Sequence, residues 1–144
     1  MGKKRIATKS GEETDQGLRT KSLSKAAKKK IVLGLLYVAS TYNNTRVLLA
    51  DKSGNAICSS SSGSLGFSGA KKGTPFAAAK VGELIGEKAA EIGVREVEVI
   101  VRGVGSGRES AIRAFSSKGI SLLSIRDVTP VPHNGPKPKK PRRI

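Results

Sequence analysis

The first long apolar stretch is IVLGLLYVA, residues 31–39, with polar residues on either side. Its length and near-continuity predict a strand covered on both faces. Thr45 to Asp51 predicts a second strand. DKSGN at 51–55 carries turn chemistry, with Gly54 able to take positive φ. Ala56 to Ser61 then returns as a third strand in antiparallel pairing. SSSSGSLGFSGAKKG, residues 59–73, is small and polar and reads as a loop.

Helical spacing follows. Thr74-Pro75 opens a helix, with Thr as N-cap and Pro at the first helical position. Val81, Leu84, Ile85, Ala89 and Ile92 share one face of it, and Lys80, Glu83, Glu87 and Glu91 the other. Gly93 ends it. Arg95 to Arg102 alternates, Val97, Val99 and Val101 against Glu96 and Glu98, as a half-buried strand does. Ser106 with Glu109 reads as a capping box for a second helix that buries Ile112 and Phe115 and stops at Gly119. Ile120 to Val128 is the last strand. The order β-β-β-α-β-α-β ends in parallel crossovers. The expected class is α/β: a single domain with a five-stranded mixed sheet flanked by two helices.

Both ends fall outside these periods. Residues 1–30 are polar, with few large apolar side chains. They predict a basic, largely disordered arm with a short helix around Leu23 to Lys30. Residues 130–144 hold five of the chain's six prolines, interleaved with Lys137, Lys139, Lys140, Arg142 and Arg143. Proline fixes φ and removes a donor, so this segment predicts an extended basic tail. The domain organisation is then an arm, 1–30, a folded body, 31–129, and a tail, 130–144.

Charge sharpens that division. Of the formal +16, the two ends carry +12 and the body +4. A mildly basic body with strongly basic ends suits a polyanion, most often nucleic acid. The ends lack an amphipathic basic helix with large apolar anchors, so a membrane surface ranks low. Cys58 is the only cysteine and His133 the only histidine. That excludes an internal disulfide framework and a cysteine-rich zinc site. No apolar run approaches a transmembrane span, and no secretory h-region opens the chain, so a reducing, cytosolic setting is expected.

Three stretches carry candidate chemistry. GVGSGR at 103–108 joins a strand to a helix, where backbone N–H groups converge and glycines admit an anion. It lacks the P-loop Lys-Ser/Thr and does not match the dinucleotide fingerprint. A plain tight turn and an RNA phosphate held by the helix start with Arg108 and Arg113 stand side by side. TYNNT at 41–45 supplies turn hydrogen bonds or contacts to ribose, phosphate and base edges. Asp51 and Asp127 both end strands and suggest a metal nuclease. Such enzymes usually gather three or four carboxylates, so turn and strand-end roles are preferred. A sequence-tolerant basic DNA-binding protein is a third class. The five aromatics are too few for a single-strand reader's stacking platforms, which favours folded RNA read through phosphates and shape. Asn134-Gly135 is a flexible pair in which the Asn can deamidate.

TYNNT (41–45), GN (54–55), GF-G-KK-TPFAA (66–78), G-GSGRESAIRA (103–114) and DVTPVPHNG (127–135), in this order and spacing, resemble the universal small-subunit ribosomal protein S-eleven family, bacterial type, over roughly residues 31–144. The resemblance implies a ribonuclease-H-like fold used as a scaffold, without catalysis and without a cofactor or metal. It implies a cytoplasmic place in the ribosome, on the 30S platform. There the chain would bind 16S-type ribosomal RNA near the messenger exit and the Shine–Dalgarno region and support assembly and translation. Implied neighbours are small-subunit proteins six, seven, eighteen and twenty-one, with messenger RNA at the exit side. Implied RNA contacts are Asn43, Asn44 and Thr45; Gly69, Lys71 and Lys72; Gly105, Gly107 and Arg108; and His133, Asn134, Lys137, Lys139, Lys140, Arg142 and Arg143. The chain departs from the family pattern at Ser59, where Trp is usual, Val104 for Pro, Pro136 for Cys and Lys137 for Arg. Its first thirty residues are longer than the bacterial form leads one to expect, and their acids argue against a transit peptide.

Overall fold

The structure, a computed structural model, describes residues 31–143. The arm 1–30 and its expected helix lie outside the described residues. The element order is β1 (Leu33–Ser40), β2 (Thr45–Asp51), β3 (Ala56–Ser61), a 3-10 turn (Gly69–Gly73), α1 (Pro75–Ile92), β4 (Glu96–Arg102), α2 (Gly107–Ser116) and β5 (Ser121–Asp127). These form one five-stranded sheet in the order β3-β2-β1-β4-β5. β1, β2 and β3 pair antiparallel, whereas β1-β4 and β4-β5 are parallel. The mixed α/β sheet with two helices is as the sequence predicts.

Local chemistry explains the element boundaries. Gly54 takes φ 88° in the β2-β3 turn, and the Asp51 carboxylate accepts from the Asn55 backbone N–H at 2.9 Å and its side-chain amide at 3.0 Å. Thr74 Oγ1 accepts from the Ala77 N–H at 3.3 Å as the α1 N-cap, with Pro75 in the first turn. Gly93 closes α1 in the left-handed region at φ 96°, its N–H donating to the carbonyls of Ala89 and Ala90. α2 departs from expectation. Ser106 is itself helical and makes no side-chain cap; its hydroxyl donates to the Gly73 carbonyl at 3.0 Å. Glu109 pairs with Arg113 instead of reaching back, so the capping box does not form. A tertiary acceptor has won over the local one.

The two-sided cover expected for β1 is corrected too. Leu36 and Val38 are buried, whereas Leu33, Leu35 and Tyr37 on the opposite face are only half-buried. Both helices lie on one side. The crossovers β3-α1-β4 and β4-α2-β5 run in the same direction across the sheet. Right-handed connections in one direction must share a face. The core therefore lies between that face and the helix pair: Leu36, Val47, Leu49, Val97 and Val99 below, Val81, Ile85, Ala111 and Phe115 above. Burying each of the larger side chains among these contributes about 1.5–3 kcal/mol relative to exposure. Among the described residues, no helix lies on the opposite face of the sheet.

Candidate nucleic-acid interface

Three loops meet at the end of the sheet where β1 and β4 finish. They are 41–44, 69–74 and 103–106. Glycine holds them together. A Cβ on Gly73 would lie 2.2 Å from the Tyr42 carbonyl oxygen, and one on Gly105 would lie 2.3 Å from Thr41 O and Ser40 Oγ. A Cβ on Gly107 would lie 2.4 Å from Thr45 Oγ1. The Gly105 N–H donates to the Ser40 carbonyl at 2.9 Å. Gly73 and Gly105 are needed where backbone meets backbone, and Gly107 where the helix start packs on the buried Thr45 and Ala78 side chains. Gly105 and Gly107 are buried in these contacts. Both helices begin at this end, so their free N–H groups and positive dipole ends face the same way.

The sequence-predicted residues fall into two groups here. Asn43, Gly69 and Lys71 are exposed, and Lys72 is half-exposed. His133, Asn134, Lys137, Lys139, Lys140, Arg142 and Arg143 are exposed, and the basic ones among them make no ion pair with a described residue. Asn134 sits at φ 56°, a left-handed turn position that Asn tolerates. Asn44 is half-buried, and its Oδ1 finds no hydrogen-bond partner among the described residues. Thr41 serves the turn, its hydroxyl donating to the Asn44 carbonyl at 3.2 Å.

Thr45 belongs to the second group and corrects the expectation of a direct contact. It is 0% exposed, and its hydroxyl lies 3.0 Å from that of Ser40. Arg108 is committed as well. Its Nη1 donates to the Gly103 carbonyl at 2.9 Å and its Nη2 to the Asp127 carboxylate. Asp127 also accepts from the Thr129 N–H at 2.9 Å and from its hydroxyl at 2.6 Å. The Gly103 N–H donates to Thr129 Oγ1 at 3.1 Å. The cluster ties the glycine loop to the root of the tail. The Thr129 hydrogen bonds, side chain then backbone, with Arg108 behind them, hold the Asp127 carboxyl down at about 2. Arg113 pairs with Glu109 on the exposed side of α2.

Asp51 and Asp127 do not come together. Asp51 lies beside Gly34 at the start of β1, and Asp127 beside Val101 at the end of the parallel strand β4. The two acids sit at opposite ends of the sheet and share no metal position. Among the described residues no group of three or more His, Cys, Asp or Glu side chains gathers to hold a metal. Burial pushes the Cys58 thiol up to about 11 against the opposing charge of Lys88, which leaves it a poor nucleophile.

Sequence reasoning missed two sets of residues. Tyr42, 78% exposed, and Val104 project from the gathered loops. Arg46, Arg102 and Arg126 stand on the helix-free face of the sheet. For Arg46 and Arg102 the signal was alternation, since each flanks a buried residue on its strand and must point away from it; β5 has no such alternation, and Arg126 is placed only by its pairing with Ile100.

The fold and this end define a single α/β body whose loops and tail carry the make-up of a polyanion-binding scaffold. A family model described as Ribosomal protein S11 matches residues 34–143, and the chain belongs to that family. It is 51% identical to the small ribosomal subunit protein uS11 of Solibacter usitatus (strain Ellin6076) over 126 residues, 88% of this chain and 93% of the relative. It is 53% identical to the protein of the same name from Treponema pallidum (strain Nichols) over 117 residues, 81% of this chain and 93% of that one.

Proposed function

We propose that this chain is a non-catalytic constituent of the small ribosomal subunit that binds 16S-type ribosomal RNA. The observation that carries the reading is one end of the sheet, where three locked loops, two helix starts and the root of a basic tail converge in a member of the ribosomal protein S11 family. In this reading Asn43, Asn44, Gly69, Lys71 and Lys72 meet RNA directly. Gly105, Gly107 and Arg108 act through the shape of the loop. His133, Asn134 and the tail cations run along phosphates between RNA helices. Thr45 supports from beneath, and Arg113 exchanges Glu109 for a phosphate.

The place in the particle is the platform, near the messenger exit and the Shine–Dalgarno region, among small-subunit proteins six, seven, eighteen and twenty-one. The setting is cytoplasmic. Arm and tail neutralise phosphates as the subunit assembles, while the body docks.

Sucrose-gradient sedimentation of lysate with detection of this chain tests the reading. Comigration with 30S particles, retained through a moderate-salt wash, is expected. A chain found only in soluble or nucleoid fractions, with 30S particles lacking it, sinks the reading in favour of general DNA binding.

A further inference from the structure

The helix-free face of the sheet carries a second feature, outside the gathered loops. Cross-strand neighbours on that face form rows. One row is Ser61, Arg46, Ala39 and Arg102, and the next is Ser59, Leu48, Tyr37, Ile100 and Arg126. The acids of the face, Glu98 and Glu96, come further down, toward the start of β4. The arginines thus gather toward the loop end. None of the three forms an ion pair with a described carboxylate.

Between β2 and β3 this face sinks into an open hollow of about 360 Å³, lined by Arg46, Leu48, Ser59, Ser60, Ser61 and Ser64. Its size is at the low end for ligand clefts, enough for one nucleotide and too small for a duplex. The only charge in the lining is the Arg46 guanidinium. Leu48 is half-buried and gives an apolar floor.

The hydroxyls are not all spent. Ser64 Oγ donates to the Ser61 carbonyl at 2.7 Å and accepts from the Ser61 N–H at 2.8 Å. Ser60 must then donate across the 3.1 Å contact to Ser64. Ser61 Oγ only accepts, from the Ser64 N–H at 3.3 Å, and keeps its proton. Ser59 makes no side-chain hydrogen bond to a described residue. Two hydroxyl donors and one guanidinium therefore face a hollow with an apolar floor. The rim is tied to the gathered loops, because the Ser62 N–H donates to the Thr45 carbonyl at 2.9 Å, next to Arg46.

We propose that this hollow receives a single unpaired nucleotide of RNA, with its phosphate on Arg46, its base on Leu48 and its polar edges on Ser59 and Ser61. The proposal rests on the RNA-binding reading above and adds a site to it. An acidic peptide would satisfy Arg46 and the hydroxyl donors but leave the apolar floor unused. Guanidinium, hydroxyls and an apolar seat together match phosphate, ribose and base.

The test uses the full chain, a fluorescently labelled ten-nucleotide oligo(A) RNA and an RNA duplex of ten base pairs, at one salt concentration. Arg46→Gln removes the phosphate partner, and Ser59→Trp fills the hollow. Both positions are exposed on strands, and thermal melts confirm folding. Each variant is expected to bind the oligo(A) ~5–10-fold more weakly while its duplex affinity stays within about twofold. Unchanged oligo(A) binding by both variants overturns the proposal, as does equal loss on both RNAs. Competition by deca-glutamate as strong as by unlabelled oligo(A) in the wild type, and weakened in both hollow variants, assigns the hollow to acidic peptides and overturns it too. If replacing the tail cations lowers binding to both RNAs while the hollow variants stay neutral, only this proposal falls. A wild-type chain that binds neither RNA overturns the RNA-binding reading and this site with it.

Discussion

Asp127 shows how one exposed side chain can organise a site it need not touch. Its carboxylate gathers the Thr129 hydroxyl, the Thr129 N–H and the Arg108 guanidinium, and the same Arg108 grips Gly103. The Thr129 hydroxyl has one proton, and the 2.6 Å bond to Asp127 takes it. The Gly103 N–H can then donate to that oxygen at 3.1 Å. Because the folded carboxyl is held near 2, its contribution is fully present above the ordinary Asp range and is lost as pH falls from about 4 toward 2. The Thr129 amide shift followed by NMR should therefore titrate with a midpoint near 2. A midpoint near ~3.9 would mean that the cluster does not form in solution. Asp127→Asn should abolish that titration and broaden the Gly103 amide. Sequence could not supply this cluster. Arg108 reads as a spare cation until its partner 19 positions away is brought beside it. Thr45 misleads similarly: a polar residue in a turn motif looks available until the fold buries it on Ser40.

At the level of elements, the two helices meet through missing side chains. A Cβ on Gly82 of α1 would lie 2.3 Å from the Ala111 carbonyl oxygen of α2, and one on Gly86 would lie 2.8 Å from the Lys118 side chain. The two contacts are not equal, because Lys118 can move and a helix carbonyl cannot. Gly82→Ala gains about 1 kcal/mol of helix propensity but forces α1 and α2 apart, and overpacking of that kind costs about 1–3 kcal/mol. The clash is with backbone at well under contact distance, so the cost should win. Gly82→Ala should lower the melting temperature by a few degrees, about 5 °C, in a calorimetric scan. An unchanged or raised melting temperature would show that the helices are not so close. Helix and strand identities were legible because periods of two and 3.6 are local, and so were the Thr74 cap and the Gly93 stop. The shared side of the helices was not legible. It follows from the strand order, which no local pattern in IVLGLLYVA contains. The apolar half-exposed row Leu33, Leu35 and Tyr37 therefore read as core.

For the molecule as a whole, charge and order divide the work. The body carries +4 over 99 residues and is held by packing, whereas the tail carries five cations and no acid in fifteen residues. Packing fixes the body's loops, whereas none of the tail cations forms an ion pair with a described residue that an RNA phosphate would have to displace. The charge and stiffness of the tail are carried by residue type and proline spacing alone, which is why they are visible in the sequence. The two parts should differ in salt dependence. Each phosphate contact releases counterions, so log K falls with log salt by about 0.7–0.9 per contact. Replacing Lys137, Lys139, Lys140, Arg142 and Arg143 with Gln should lower affinity for small-subunit ribosomal RNA and flatten that slope. If all five cations engage, the flattening is ~3.5–4.5. A smaller value would count the cations that meet phosphate. Melting of the variant should not change, because none of the five forms an ion pair with a described residue. A slope that does not move would mean that the tail is not an RNA arm, and the loop end would then have to hold the RNA alone.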